Sequence, residues 1–241
     1  MKLLIDAGNT LIKSAVLADD EWLYLTPVAT AEASTMTARV AHLPSVSEVW
    51  VSNVAGDEVA DHLAAACKSR GWTMHLIGSK KLQCGVSNSY KIVERLGSDR
   101  WASVIAAWQI TRAPTLVVSC GTATTIDTLS ARGEFLGGLI LPGLALMQSS
   151  LIDATAKLKH DAGRYSPFPV NTADAIWSGA LQATCGAIQR QYALLAEPQA
   201  QILLSGGAAQ ELQELLGMPA QIVRNLVLHG LKSIAQEESR S

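Results

Sequence analysis

Apolar and polar positions along the chain fall into short, regularly spaced blocks. Lys2–Ile5 and Leu11–Leu17 are apolar runs on either side of a Gly8-Asn9 turn signal, which predicts a hairpin whose turn carries Asp6, Gly8, Asn9 and Thr10. The pattern then predicts a helix over 31–43, a strand over 48–51, a helix over 57–70 and a strand over 74–77. Ser98 reads as the cap of a helix over 99–112, with Asp99 in the first turn, where the helix dipole favours negative charge. After Pro114 the alternation restarts with strands over 116–118, 124–129 and 135–141 and a helix beginning after Gly143. Asn171 reads as the cap of a long helix over 172–196, following a loop with two prolines. A strand over 201–204, a Gly206-Gly207 turn into a helix, a strand over 220–223 and a helix over 226–236 complete the pattern. An antiparallel start followed by β-α-β alternation predicts an α/β layer fold.

The pattern also repeats. Laying Leu3–Leu17 over Leu116–Ser130 places Gly8 on Gly121 and Asp6 on Ser119, an offset of 113 residues in a chain of 241. Two lobes, 1–113 and 114–241, are the division this predicts, with a ligand in the cleft between the copies. Short apolar strands resemble one another, so chance similarity competes with duplication at this level.

Composition narrows the function classes. The chain is 49% hydrophobic and 17% charged, with 19 Lys+Arg against 21 Asp+Glu. It can bury a large core, and it has too few clustered cations for binding to a phosphate backbone, so no nucleic-acid partner is expected. The longest apolar run, Leu136–Met147, has 12 residues and is interrupted by Pro142 and three glycines, short of the roughly 20 that a membrane span needs. The segment before Asp6 is too short for a secretory signal, so a cytoplasmic location is expected. Cys67, Cys84, Cys120 and Cys185 form no CxxC pair and read as reduced thiols, mostly buried, with Cys84 the exposed one. The histidines at 42, 62, 75, 160 and 229 share no spacing and read as incidental.

Three segments carry candidate chemistry. Asp6-Ala7-Gly8-Asn9-Thr10 with Lys13 gathers a carboxylate, small polar side chains, a cation and a close-approaching backbone at one turn. That set suits a phosphate cradle in which Asp6 holds Mg²⁺, and it equally suits a plain hairpin with a capped turn. It is not the GxxxxGK[ST] pattern. Gly121-Thr122-Ala123-Thr124-Thr125-Ile126-Asp127 repeats the theme, although threonines also suit a bare strand. In Gly97-Ser98-Asp99-Arg100, Asp99 can orient and deprotonate a hydroxyl while Arg100 grips an anion, or the two can be an ordinary helix-start charge and a surface residue. Gly137–Gly143 and Ser205-Gly206-Gly207 read as close-packing turns, the second also as a place for a nucleotide.

Taken in order, six motifs resemble the type III pantothenate kinases, the family that includes the Bvg accessory factors, in the actin, hexokinase and heat-shock-chaperone superfamily. They are Asp6-x-Gly8-Asn9-Thr10-x-x-Lys13, Leu96–Trp101, Gly121-Thr122-Ala123-x-Thr125-x-Asp127, Gly137-Gly138-x-Ile140-x-Pro142-Gly143, Asn171-Thr172-x-x-Ala175-Ile176-x-x-Gly179 and Ser205-Gly206-Gly207. The resemblance implies two similar actin-like, ribonuclease H-like lobes with mixed sheets flanked by helices. It implies phosphorylation of pantothenate by ATP, the first step towards coenzyme A, in a homodimer using Mg²⁺ and a monovalent cation. Carried over by residue, Asp6, Gly8, Asn9, Thr10, Lys13 and Thr122 would bind ATP, and Asp99 would be the base. Tyr90, Gly97, Ser98, Arg100 and Thr172 would contact pantothenate, Thr172 in the neighbouring subunit's site. One departure concerns the cation. The family usually has Asp where this chain has Ser119, and a neutral hydroxyl there leaves dependence on K⁺ or NH₄⁺ open. The segment Tyr90–Arg95 also lacks a proline the family tends to have. A regulator that has kept the fold, or a phosphotransferase acting on another hydroxy acid, remain alternative readings.

Overall fold

A computed structural model describes residues 1–18, 20–43, 46–154 and 162–240. His160 lies outside the described residues. The chain begins with the expected hairpin, β1 (Lys2–Ala7) and β2 (Leu11–Ala18), followed by β3 (Glu21–Tyr24) and β4 (Val28–Ala29). Period-2 alternation directs Leu3, Ile5 and Ala7 into a core with Ile12 and Val16, leaving Lys2, Leu4 and Asp6 on the opposite face of the sheet.

The helix expected over 31–43 is reduced to a 3₁₀ segment, Thr30–Thr35, and a single turn, α1 (Met36–Arg39). Two local causes are visible. Glu32 leaves helical geometry (φ −103°, ψ 19°), and the Thr35 hydroxyl donates to the Glu32 carbonyl at 2.8 Å, a side-chain bond that competes with helix continuation. β5 (Glu48–Asn53) and β6 (Thr73–Leu76) are parallel strands joined by α2 (Asp57–Arg70). The bounds of α2 match the expectation because both ends are written locally. Asp57 and Glu58 lie in its first turn and Lys68 and Arg70 in its last, and Gly71 (φ 68°) returns its N–H to the Cys67 and Lys68 carbonyls. A small hairpin, β7 (Leu82–Gln83) and β8 (Val86–Asn88), precedes α3 (Ser98–Thr111). From Arg100 to Ala107 every residue of α3 is buried, as befits a helix that is apolar on all sides.

The second half runs β9 (Thr115–Cys120), β10 (Ala123–Leu129), β11 (Glu134–Pro142), α4 (Leu144–Asp153), α5 (Thr172–Leu195), β12 (Gln201–Gly206), α6 (Ala209–Leu215) and β13 (Gln221–Ile222), and the chain ends in α7 (Leu226–Glu238). Its core gathers Leu116, Val118, Ile126, Ile202 and Leu204 from the strands with Leu181, Cys185 and Ile188 from α5 and Leu212 from α6. Among the described residues no helix is long and apolar enough to cross a membrane.

The chain divides into two compact units, Met1–Ile110 with Asn225–Ser241, and Thr111–Arg224. Each contains the same arrangement. In the first, the strand order is β3-β2-β1-β5-β6; in the second, β11-β10-β9-β12-β13 follows the same succession of antiparallel and then parallel neighbours. Helices α2 and α6 make the corresponding crossovers, and α3 and α7 follow the last strands. The units differ from a division at 113 and 114 in the destination of the C-terminus, because α7 packs in the first unit beside α3. A Cβ on Gly230 would fall 2.0 Å from the Ala102 carbonyl oxygen, so the two helices meet backbone to backbone and only glycine fits.

All four cysteines are free, Cys84 half-buried and the others buried. Burial, with Glu237 adjacent, pushes the Cys84 thiol up to about 12, and burial does the same for Cys120. These are poor nucleophiles at neutral pH. His75 is stacked on Trp50 at 4.1 Å, and His229 lies against Trp22 at 4.9 Å.

Candidate active site

In the first unit, Asp6 sits near the end of β1, in register with Lys13 on β2 and Ser52 on β5. Burial raises its carboxyl to about 7, Lys13 pulls it down and the charge of Asp99 pushes it up again. Asp6 and Asp99, 93 positions apart in sequence, are thus electrostatic neighbours. The turn between β1 and β2 is held through its backbone. The Gly8 N–H donates to the Leu11 carbonyl at 3.1 Å, the Thr30 hydroxyl donates to the Gly8 carbonyl at 2.7 Å, and the Thr30 N–H donates to the Thr10 carbonyl at 3.0 Å. Asn9 and Thr10 stand exposed at the tip.

The start of α3 supplies the second half of this chemistry. Ser98 is the first helical residue rather than a side-chain cap. Its hydroxyl shares a 2.9 Å hydrogen bond with the buried Ser52 hydroxyl and reaches the Asn53 carbonyl at 3.4 Å, tying α3 to the end of β5. Asp99 Oδ1 accepts from the Arg100 N–H at 2.8 Å. A Cβ on Gly97 would lie 2.7 Å from Asp99 Oδ1, so glycine keeps room for that carboxylate. The Arg100 side chain is buried, 7% exposed, with its guanidinium 6.0 Å from the centre of the Tyr90 ring, a cation–π arrangement. Tyr90 is placed in turn by Asn88, whose Oδ1 accepts from the Tyr90 N–H at 2.9 Å.

In the second unit, the turn between β9 and β10 is one residue shorter. Four residues, Gly8–Leu11, separate the paired Ala7 and Ile12, whereas three, Gly121–Ala123, separate Cys120 and Thr124. Gly121 donates to the Ala123 carbonyl at 3.1 Å, and Gly143, just before α4, donates to the Thr122 carbonyl at 2.9 Å. A Cβ on Gly143 would stand 2.1 Å from the Gly121 carbonyl oxygen, so glycine is what lets α4 start against this turn. Thr122 is exposed. Ser119 is half-buried and in register with Thr125 on β10 and Ser205 on β12. The Thr124 and Thr125 hydroxyls are buried without a hydrogen-bond partner among the described residues. Thr172 opens α5, where the Asn171 side chain caps the helix by accepting from the Asp174 N–H at 2.9 Å. It borders a groove of about 490 Å³ between α4 and α5 with Met147, Leu151, Ala175 and Ile176.

The candidate residues thus fall in two sets. Asp6, Gly8, Asn9, Thr10, Lys13, Tyr90, Gly97, Ser98, Asp99 and Arg100 belong to the first unit; Ser119, Thr122 and Thr172 belong to the second. Three residues with a part in this geometry escape sequence reasoning: Thr30, Ser52 and Asn88. Thr30 meets the first turn from 22 residues away, and no local pattern announces it. Ser52 carries a signal, a polar residue directly after the apolar run Val49-Trp50-Val51 of β5. Among the described residues no three His, Cys, Asp or Glu side chains gather as a metal cage. One half-buried carboxylate at Asp6, with the charge of Asp99 near, fits the way Mg²⁺ is usually held beside phosphates, by one or two carboxylates, water and the substrate itself.

A family model for type III pantothenate kinase matches residues 2–194. A type III pantothenate kinase of Aromatoleum aromaticum is 46% identical over 240 residues, covering 99% of both chains, and one from Nitrosospira multiformis is 41% identical, covering 99% of this chain and 92% of the relative. Among solved structures, a Campylobacter jejuni protein described as a Baf family transcriptional activator superposes with a TM-score of 0.66 at 22% identity, over 99% of this chain and all of that one. An inorganic polyphosphate/ATP-glucomannokinase from Arthrobacter sp. strain KM gives 0.50 at 14% identity, over 97% and 98% of the two chains. The structural likenesses support the fold, and the sequence matches, end to end and above 40% identity, establish the family. The chain belongs to the type III pantothenate kinase family.

Proposed function

We propose that the chain transfers the γ-phosphoryl group of ATP to the primary hydroxyl of pantothenate, giving 4′-phosphopantothenate and ADP, the first step of coenzyme A synthesis. The observation that carries this reading is the start of α3. There, in a chain of this family, Asp99 has its place kept open by Gly97, and the next residue, Arg100, is buried beside Tyr90. Phosphoryl transfer has a loose transition state, so alignment and charge neutralisation supply most of the acceleration. Asp99 orients the substrate hydroxyl and accepts its proton late, while Arg100 holds the substrate carboxylate through its fork of N–H donors. The Gly8-Asn9-Thr10 turn and Lys13 receive ATP phosphates, Thr122 contacts the nucleotide, and Gly97 and Ser98 line the substrate side.

Asp6 is the residue that would hold Mg²⁺, which when bound neutralises charge on the phosphates. A monovalent cation held through residue 119 does not fit the residues present. The row Thr125, Ser119, Ser205 offers three neutral hydroxyls and no carboxylate, so no step is routed through such an ion. Turnover is expected to be alike in K⁺, NH₄⁺ and Na⁺. The homodimer reading draws support from the surface of the second unit, where Phe168 and Val170 are 87% and 98% exposed and Leu151 is 48% exposed close to Thr172 and its groove. Covering such apolar area is a usual reason for association, and Thr172 would then reach a neighbouring subunit's substrate. A cytoplasmic location accords with this chemistry and with the free cysteines.

The direct test is formation of phosphorylated pantothenate from Mg-ATP by the purified protein. Pantothenate-dependent product supports the reading. ATP turnover equal on several unrelated hydroxy acids would replace it with a broader phosphotransferase, and binding without turnover would replace it with a regulator.

A further inference from the structure

Thr30 directly follows β4, whose Val28 and Ala29 are in register with Ile12 and Leu11 on β2. Val28 lies in the core with Ile12, so an anchored strand delivers Thr30 to the first turn. There it bonds twice. Its hydroxyl donates to the Gly8 carbonyl at 2.7 Å and its N–H to the Thr10 carbonyl at 3.0 Å, so one residue fixes the peptide units after Gly8 and after Thr10. In a trans peptide unit the carbonyl and the N–H of the next residue point in opposite directions. The chain has no cis peptide bond among the described residues, so drawing these two carbonyls towards Thr30 turns the Asn9 and Leu11 N–H groups away from it. Gly8 alone would tolerate either orientation of the unit that follows; the hydroxyl selects one. Asn9 and Thr10 are exposed at the tip, where a ligand can reach them.

A phosphate is attracted by backbone N–H groups and repelled by carbonyl oxygens, so a turn that receives one must present the first and withdraw the second. The bonds from Thr30 do both. We infer that Thr30 is a positioning residue for the phosphate end of ATP: it draws the Gly8 and Thr10 carbonyls off the ligand's side of the turn and sets the Asn9 N–H towards it. This rests on the reading of the Gly8-Asn9-Thr10 turn and Lys13 as the place of the ATP phosphates. Thr30 acts through the turn and touches no substrate itself. The second unit ties back a turn carbonyl as well, with the Gly143 N–H donating to the Thr122 carbonyl at 2.9 Å. That brace is backbone only, whereas the one on Gly8 is a hydroxyl that substitution can remove.

Thr30→Val and Thr30→Ser separate the hydroxyl from the rest of the residue. Valine keeps the branched shape and the N–H but loses the donor to Gly8, and serine keeps that donor. Steady-state kinetics would be run with ATP varied at saturating pantothenate and with pantothenate varied at saturating ATP, beside melting temperatures and with Lys13→Ala as the reference. The expected result is a kcat/KM for ATP lowered about three- to tenfold in Thr30→Val, as for loss of one hydrogen bond, and held within about twofold of wild type in Thr30→Ser. The KM for pantothenate should not change in either. A lowered melting temperature with wild-type kcat/KM for ATP would overturn the inference and leave Thr30 a structural tie only. A fall shared equally by the two variants, or an equal loss towards pantothenate, would overturn it too. Should Thr30→Val fail to fold, backbone ¹⁵N–¹H spectra of the wild type decide: the Asn9 amide must shift on saturation with Mg-ATP and not with adenosine, and an amide that moves with neither or equally with both overturns the inference. Lys13→Ala with an unchanged kcat/KM for ATP is a different signature, which removes the underlying site reading itself.

Discussion

Across β2, β1 and β5 the row at the end of the first hairpin reads Lys13, Asp6, Ser52; the matching row across β10, β9 and β12 reads Thr125, Ser119, Ser205. The strands around each row have the same order and directions. One row is a charged pair with a hydroxyl, and the other is hydroxyl throughout. The turn is also a residue longer in the charged copy, and Thr30 braces it. The two copies share backbone topology and differ in side-chain chemistry in this row, and the proposed reacting groups, Asp6, Asp99 and Arg100, all belong to the first unit. A fold therefore says where such rows lie, and only the residues in them say what they can hold.

Changes in the charged copy should have the largest effects. Replacing the buried Arg100 by alanine is expected to weaken pantothenate binding by about 2–5 kcal/mol, since truncating one partner of a buried charge pair costs that much; isothermal titration gives the number directly, and undiminished affinity would remove Arg100 from the substrate site. Gly97→Ala should come next. The added methyl would stand 2.7 Å from Asp99 Oδ1 and must displace that carboxylate, and small misplacements of a reacting group cost up to about 10²-fold. A kcat reduced about 10- to 100-fold with an unchanged melting temperature is expected, whereas wild-type kcat would show that the carboxylate position is not critical.

The third effect concerns stability. Asp6 titrates at about 7 in the folded protein against an ordinary 3.8, chiefly because of burial. The folded state therefore binds the Asp6 proton more tightly than the unfolded chain does. That contribution to stability is fully present below about 3.8 and is lost as pH rises through about 7. Asp6→Asn should flatten the pH dependence across this window and leave the ligand-free protein more stable than wild type at pH 8. Denaturant titrations at pH 4, 6 and 8 that run parallel for the two proteins would contradict this account of Asp6. The smallest effect is expected in the neutral copy. Ser119→Asp restores a carboxylate to the hydroxyl row and should create a few-fold stimulation by K⁺ over Na⁺ where wild type shows none. Strong K⁺ stimulation of the wild type would break the contrast between the copies.

Much of this was readable along the chain where signals are local. The bounds of α2 followed from charges at both ends and a terminal glycine, and the cap at Asn171 and both glycine turns followed from turn chemistry. The offset of 113 residues anticipated the repeated sheet. What escaped depends on distant partners or on competition between weak local preferences. The short strands β3, β4, β7 and β8 carry too few residues for a periodic signal. The helix expected over 31–43 lost to hydroxyl-backbone bonding and a kink at Glu32. The return of α7 to the first unit depends on Gly230 meeting Ala102, a contact between the helices that end the two repeats. In the site, Asp6, Asp99 and Arg100 were recognisable by motif, but the proximity of Asp6 to Asp99 and the ties through Thr30, Ser52 and Asn88 are products of folding.

The central claim is that the start of α3 carries out phosphoryl transfer to pantothenate. Its most direct test is ADP release from Mg-ATP with and without pantothenate, by wild type and by Asp99→Asn, with pantothenate affinity measured on both. The account predicts pantothenate-dependent release in the wild type, reduced by at least about 10²-fold in the variant while affinity changes little. Equal turnover by the two proteins would contradict it.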